Sequence, residues 1–154
     1  MRTRIGSVAT VAGVLAVMAT SAQAATGPDF VGTPSVRYAG ATIAIIARLD
    51  APLRRPSTAG FYVAPALKAG QRMGSDVFGG NPPGTIGRRD RHCYAAEALQ
   101  PRPRARLRDG AHWRVGLAVA ATRLIHARRV TLVRARGDAG AWERAEARRL
   151  GCDA

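Results

Sequence analysis

Three histidines and three aspartates are the side chains of this sequence best suited to acid–base or metal chemistry. They are His92, His112, His126, Asp76, Asp90 and Asp109. The histidines are far apart in the chain and lack the close spacing typical of zinc ligands, so the sequence predicts no metal site and no cofactor. An enzyme would need a concave pocket that brings a histidine close to one of the aspartates. Enzymatic activity therefore stays open, and the sequence favours a protein without catalytic residues.

The two cysteines, Cys93 and Cys152, offer either a disulfide or a reactive thiol. An even number of cysteines in an exported protein indicates a disulfide, and closing a loop of about 60 residues would stabilise the fold by about 4 kcal/mol. His92 directly precedes Cys93, but neighbouring side chains of an extended segment point to opposite faces. The Cys-x-x-Cys spacing of redox proteins is absent. We predict the disulfide Cys93–Cys152, with a nucleophilic Cys93 as the alternative.

The arginines suit a different chemistry, the binding of anions. The chain has a formal net charge of +14, and residues 88–154 hold 16 basic against 7 acidic side chains. Such a field attracts polyanions, and salt weakens that attraction. The candidate anion-binding residues are Arg88, Arg89, Arg91, Arg102, Arg104, Arg106 and Arg108. Lys68 is the single lysine, however, and an arginine-, alanine- and glycine-rich composition is also what a GC-rich genome produces without any ligand.

Four of these arginines alternate with other residues in the segment 101–108. Pro101 and Pro103 exclude a helix there, so the arginines of an extended segment would point largely to one side. This row could follow an anionic surface, or it could be a solvated edge whose charges and prolines prevent strand pairing. No aromatic residue is interleaved with the arginines, which disfavours single-stranded nucleic acid as the partner.

The N-terminus predicts export. Arg2 and Arg4 precede an uncharged apolar run over residues 5–20, and Ala22 and Ala24 are small residues at the positions that a signal peptidase recognises. The run is shorter than the ~18–20 apolar residues that span a bilayer, which disfavours the alternative of a membrane anchor. We therefore expect a signal peptide over residues 1–24 and a periplasmic or extracellular protein.

The remaining residues 25–154 predict one small basic domain with a loose lead-in at 25–35. Apolar, β-branched runs predict strands, and polar, glycine- or proline-rich segments predict turns. The expected strands are 36–49, either continuous or broken at Gly40, then 61–63, 113–119, 130–136 and 142–150. The last three form a predicted antiparallel meander.

Other segments are less clear in the sequence. Residues 66–73 suit one or two helical turns, and 94–99 a short helix or strand. Residues 78–87 predict a loop whose glycines lack the Gly-Lys-Ser/Thr ending of a phosphate-binding loop. Residues 142–150 are also rich in helix formers and are followed by glycine, so a helix is the alternative to the third meander strand. The predicted fold class is mainly β with little helix, the alternative being a small α+β domain.

Three functions are compatible with these features. The favoured one is an exported, non-catalytic protein that binds an anionic envelope component or an acidic protein partner through its arginines. A structural or assembly subunit of an envelope complex is the second, and a small periplasmic enzyme is the third. No motif of the sequence identifies a family.

Overall fold

The structure, a computed structural model, describes residues 27–54, 59–72, 78–80, 84–86, 91–99, 107–119 and 124–152. The predicted signal peptide lies outside these residues. The described part of the chain folds into nine strands and one helix. In chain order they are β1 (Ser35–Ala39), β2 (Thr42–Arg48), β3 (Ala59–Ala64), β4 (Phe78–Gly80), β5 (Gly84–Thr85), β6 (Cys93–Leu99), β7 (His112–Val119), β8 (Ile125–Thr131), β9 (Val133–Arg134) and α1 (Ala139–Arg149). The protein is mainly β, as its sequence predicts.

The strands form two sheets. The first sheet has the order β5-β6-β2-β1-β9, and the second has the order β4-β3-β7-β8. Pairing is antiparallel except between β1 and β9. The chain crosses from the second sheet to the first at Leu132, which is fully buried between β8 and β9. The predicted strand at 130–136 is therefore divided, because it contains the end of β8 in the second sheet and the whole of β9 in the first.

The main core lies between the two sheets. Alternate residues of each strand point inward, so that Ile43 and Ile45 of β2 face Phe61 and Val63 of β3 in one apolar cluster. Tyr94 of β6 meets Phe61 edge-on, with ring centroids 6.4 Å apart. The hydroxyl of Tyr94 is buried and accepts a hydrogen bond from the backbone N–H of Leu53, which satisfies the one polar atom of this ring.

The predicted strand 142–150 is wrong, because these residues belong to helix α1. Local capping signals decide the structure. Asp138 accepts a hydrogen bond from the N–H of Ala141 at the first turn, and Gly151 ends the helix with a φ of 75°. The N–H of Cys152 then donates to Ala147 and that of Gly151 to Arg148, which is the glycine-terminated helix end known as the Schellman motif.

The helix covers the outer face of the first sheet, and the predicted disulfide fastens it there. Cys93 begins β6 and Cys152 follows α1, with their Cα atoms 6.0 Å apart. A second apolar cluster surrounds the disulfide and includes Ile46, Ala147 and Leu150. The prediction of a disulfide is confirmed, and the described residues contain no reduced cysteine.

Other sequence predictions have mixed outcomes. The run 36–49 is two strands joined by a turn at Gly40, and 94–99 lies in a strand. The loop predicted at 78–87 contains β4 and β5 instead, because pairing with β3 and β6 imposes an extended backbone on its glycines. The described residues 66–72 form turns and a bridge rather than a helix.

Part of the outer face of the second sheet is covered as well. Leu67, in the segment after β3, packs there against Ala118 and Leu124. Gly116 of β7 makes room for it, since a Cβ at this position would lie 3.1 Å from Leu67 Cδ2.

Along the described residues, α1 is too short and too polar to cross a membrane.

Candidate functional site

A cleft opens where the N-terminal half of α1 lies above the first sheet. Its volume is about 250 Å³. Ala44, Ala95 and Ala139 line it with small side chains, and Trp142 and Glu143 project from the helix. Because β2 and β6 carry alanine rather than larger residues beneath this part of the helix, the helix and the sheet do not fill the space between them.

Arg37 of β1 lies in this cleft and is nine-tenths buried, with 9% of its surface exposed. Its guanidinium carbon lies 4.3 Å from the centroid of the Trp142 ring, which places the cation over the aromatic face. Its NH1 atom is fully buried without a hydrogen-bond partner. Strand alternation explains this placement, because Val36 and Tyr38 point into the main core and Arg37 points out beneath the helix.

Two carboxylates accompany Arg37 in the cleft lining, Glu97 and Glu143. Arg37 pairs with Ala44, and Ala44 pairs with Glu97, so the three residues form one row across β1, β2 and β6. Two strand spacings separate the ends of this row by about 9.6 Å. Among the described contacts, no ion pair joins Arg37 to either carboxylate. The cleft therefore contains one buried cation, Arg37, and two exposed carboxylates, Glu97 and Glu143, neither of which is paired with Arg37.

The other end of α1 is held tightly to the same sheet. Arg48 of β2 donates from NH1 to the carbonyl oxygens of Leu150 and Gly151, both at 3.1 Å. These carbonyls belong to the helix end, where backbone acceptors lack helical partners. Since the disulfide joins the same end to β6, the C-terminal turn of α1 has both a covalent and a hydrogen-bonded anchor.

A hydrogen-bonded network around Glu146, the Glu146 network, adds a third anchor. Ser35 of β1 donates to Glu146 Oε2, and Arg149 Nε donates to the same oxygen at 2.7 Å. Arg149 NH2 also donates to Ser35 Oγ and to the carbonyl of Thr33. Burial of Glu146 raises its pKa, but the hydrogen bonds from Ser35 and Arg149 and the charge of Arg149 outweigh burial, so its pKa lies below the usual range. Glu146 is therefore ionised at neutral pH.

A cationic patch occupies the open part of the second sheet's outer face. Arg114 of β7 and Arg129 of β8 are directly paired across the two strands, and both are exposed. His112, also exposed, lies two residues from Arg114 on the same face, and its Nδ1 is 3.4 Å from Thr131 Oγ1. Neither arginine forms an ion pair or side-chain hydrogen bond with another described residue.

The histidines do not assemble with the aspartates considered in the sequence, as far as the structure describes them. Asp76 and Asp90 lie outside the described residues. His92 Nδ1 is 3.2 Å from the carbonyl oxygen of Leu49, and Asp109 accepts from the N–H of Arg134. No group of three or more potential metal ligands exists among the described residues.

His126 has a different acidic neighbour, Asp29. Its Nδ1 lies 3.6 Å from Asp29 Oδ1, while Arg128 NH2 lies 2.7 Å from both oxygens of that carboxylate. His126 has a φ of 54° in the bulge where β8 pairs irregularly with β7 opposite Gly116. The bulge turns His126 toward the chain before β1, where Nε2 lies 3.3 Å from the carbonyl of Gly27. The cluster ties residues 27–30 to the second sheet.

The predicted anion-binding arginines are mostly beyond the described residues. Arg88, Arg89, Arg102, Arg104 and Arg106 lie outside them. Arg91 and Arg108 are described, and both are exposed. The sequence did not single out Arg37, Arg114 or Arg129. Arg37 could have been found as the charged residue that interrupts an apolar strand, whereas pairing Arg114 with Arg129 requires the strand register.

No protein-family model matches this chain, and neither the curated proteins nor the solved structures compared with it gave a match. The geometry of the cleft and of the cationic patch is therefore the basis for the functional conclusions.

Proposed function

We propose that this chain is an exported, non-catalytic binding protein whose cationic surface contacts an anionic component of the cell envelope. The observation that carries the proposal is the exposed Arg114–Arg129 pair. Like charges directly opposite one another destabilise an antiparallel pair, and an anion bound between them converts this repulsion into attraction. A bound phosphate or carboxylate would be held by two guanidinium groups at once.

The charge of the whole chain supports the same proposal. Without Arg2 and Arg4 of the signal peptide, the formal net charge falls from +14 to +12, which still raises the local concentration of anions and speeds their association. The disulfide is compatible with an oxidising compartment outside the cytoplasm. Residues 1–24 have the charge and hydropathy pattern of a signal peptide.

Binding to anionic vesicles tests the proposal. The mature chain is mixed with vesicles of phosphatidylglycerol and phosphatidylcholine, or of phosphatidylcholine alone, and immobilised heparin represents acidic polysaccharide. We expect binding to at least one anionic probe to persist at about 0.15 M salt. An arginine near an anionic membrane surface contributes about 1 kcal/mol to binding. Replacing both Arg114 and Arg129 by Gln should therefore weaken binding to anionic vesicles by about 2 kcal/mol, or roughly 30-fold.

The matched control replaces Arg144 and Arg148 of α1 by Gln, which removes the same charge from exposed positions on the opposite layer. This control should lose less affinity than the Arg114/Arg129 variant. Equal losses in the two variants would contradict the assignment to this patch. Release from every anionic probe below 0.15 M salt would contradict the proposed function, and capture of an acidic envelope protein that withstands such salt would point to that partner instead.

A further inference from the structure

We infer that the cleft beside Arg37 binds a small zwitterion, a molecule with a carboxylate and an ammonium group a few ångströms apart, such as a free α-amino acid. The cleft lies under α1 on the outer face of the first sheet, and the cationic patch lies on the second sheet. The inference therefore does not depend on the proposed function.

The unsatisfied edge of the Arg37 guanidinium points to the carboxylate. A cation over an aromatic ring uses the face of the guanidinium, while its N–H groups donate in the plane of the group. The guanidinium carbon of Arg37 lies 4.3 Å from the centroid of the Trp142 ring, and NH1 is buried without an acceptor. A buried donor without a partner is destabilising. NH1 is closed to solvent in this structure, so a carboxylate in the cleft would accept from it after a small shift of the Arg37 side chain. The carboxylate would then supply the missing acceptor and a complementary charge.

The two glutamates select the ammonium group. Glu97 and Glu143 are exposed carboxylates in the lining of the same cleft. They would repel a ligand that is purely anionic, and Arg37 would repel one that is purely cationic. A ligand with both charges can place its carboxylate against Arg37 and its ammonium group toward Glu97 or Glu143. The row from Arg37 through Ala44 to Glu97 leaves lateral space for it, because only an alanine side chain separates the two charges.

The size of the cleft limits the ligand. About 250 Å³ is smaller than the ~300–1,000 Å³ typical of sites for drug-sized molecules. Ala44, Ala95 and the half-buried Trp142 ring would contact a short apolar side chain. An amino acid with a small side chain fits these dimensions, and a dipeptide carries the same two charged groups farther apart.

Calorimetric titration of the mature chain tests the inference with five probes: alanine, dialanine, N-acetylalanine, alanine amide and acetate. We expect alanine to bind and both blocked derivatives to bind at least about tenfold more weakly, because each lacks one charge. Dialanine separates the two sources, since its charges are farther apart than those of alanine. Tighter binding of dialanine would identify a dipeptide as the ligand, and tighter binding of alanine a free amino acid.

Two substitutions locate the site. Arg37→Met keeps an unbranched side chain against Trp142 and removes the charge, so alanine binding should fall about tenfold or more. Arg37→Lys keeps the charge without the planar set of donors and should bind with intermediate affinity. Thermal unfolding identifies folded variants, and Arg37→Lys serves if Arg37→Met does not fold. Arg114→Gln on the other sheet should leave alanine binding unchanged, whatever its effect on vesicle binding.

Three outcomes would overturn the inference. The first is no binding of any probe at millimolar concentration. The second is alanine binding that Arg37→Met and Arg37→Lys leave unchanged. The third is acetate and N-acetylalanine binding as tightly as alanine, with the double variant Glu97→Gln, Glu143→Gln increasing the affinity for all three, because the ligand would then be a simple anion.

Discussion

The two ends of helix α1 are attached to the same sheet in different ways. At the C-terminal end, the disulfide, the donors of Arg48 and the Glu146 network satisfy the groups that the helix brings to the sheet. At the N-terminal end, the helix lies above a cleft where Arg37 keeps a buried donor without an acceptor. The C-terminal end of α1 therefore stabilises the fold, and the N-terminal end is left able to hold a ligand.

Removing the disulfide takes away the covalent anchor of the C-terminal end of α1, and it is expected to have the largest effect on stability. Replacing Cys93 and Cys152 by Ala should lower the free energy of unfolding by about 4 kcal/mol, the chain-entropy value for a loop of about 60 residues. Urea unfolding measures this loss, and the reduced wild-type protein should behave like the variant. A loss below about 1 kcal/mol would mean that the hydrogen bonds of the C-terminal end suffice to hold the helix.

The helix itself shows what the sequence could not settle. The β-rich runs at 36–49, 61–63 and 113–119 are found as strands, since their apolar and β-branched residues are a clear signal in the sequence. Residues 142–150 lack such a signal because α1 buries a narrow face, with Ala147 as its one buried residue. Asp138 and Gly151 were the informative signals, and the terminal cysteine was compatible with either structure.

The cleft depends on the helix, which the sequence offered only as the alternative to a strand. Arg37 is buried only because α1 and Trp142 lie over it, so an interpretation that placed a strand at 142–150 had nothing to cover this arginine. The disulfide, in contrast, followed from the cysteine count and the expected compartment. The Arg114–Arg129 pair needed the register of β7 and β8, which depends on a bulge at His126.

The Glu146 network makes the C-terminal attachment of α1 dependent on pH. The pKa of Glu146 is lowered in the folded protein, so its contribution to stability is present above the unfolded value of about 4.3 and is lost as pH falls through the lower folded value. Glu146→Gln should remove about 1 kcal/mol at neutral pH, a modest value because the pair with Arg149 is partly exposed.

Urea unfolding from pH 7 to pH 3 checks this expectation. The difference between wild type and Glu146→Gln should shrink as pH falls below about 5. Glu143→Gln is the matched control from the same helix, because no described side chain donates a hydrogen bond to Glu143. If the difference in the free energy of unfolding between wild type and Glu146→Gln is constant from pH 7 to pH 3, the charge of residue 146 does not anchor the helix. Its hydrogen-bonding geometry would then be the anchor.

The smallest effect on stability is expected from Arg37, and Arg48 supplies its matched control. Both arginines project from the outer face of the first sheet to α1, one at each end. Arg48→Met leaves the carbonyls of Leu150 and Gly151 without their donor and should cost about 1–2 kcal/mol in urea unfolding. Arg37→Met removes a buried donor that has no partner and retains an apolar contact with Trp142, so the free energy of unfolding should change by less than about 1 kcal/mol. A loss from Arg37→Met as large as that from Arg48→Met would mean that Arg37 anchors the helix in the way Arg48 does, and the division between an anchored end and a ligand-binding end would no longer hold.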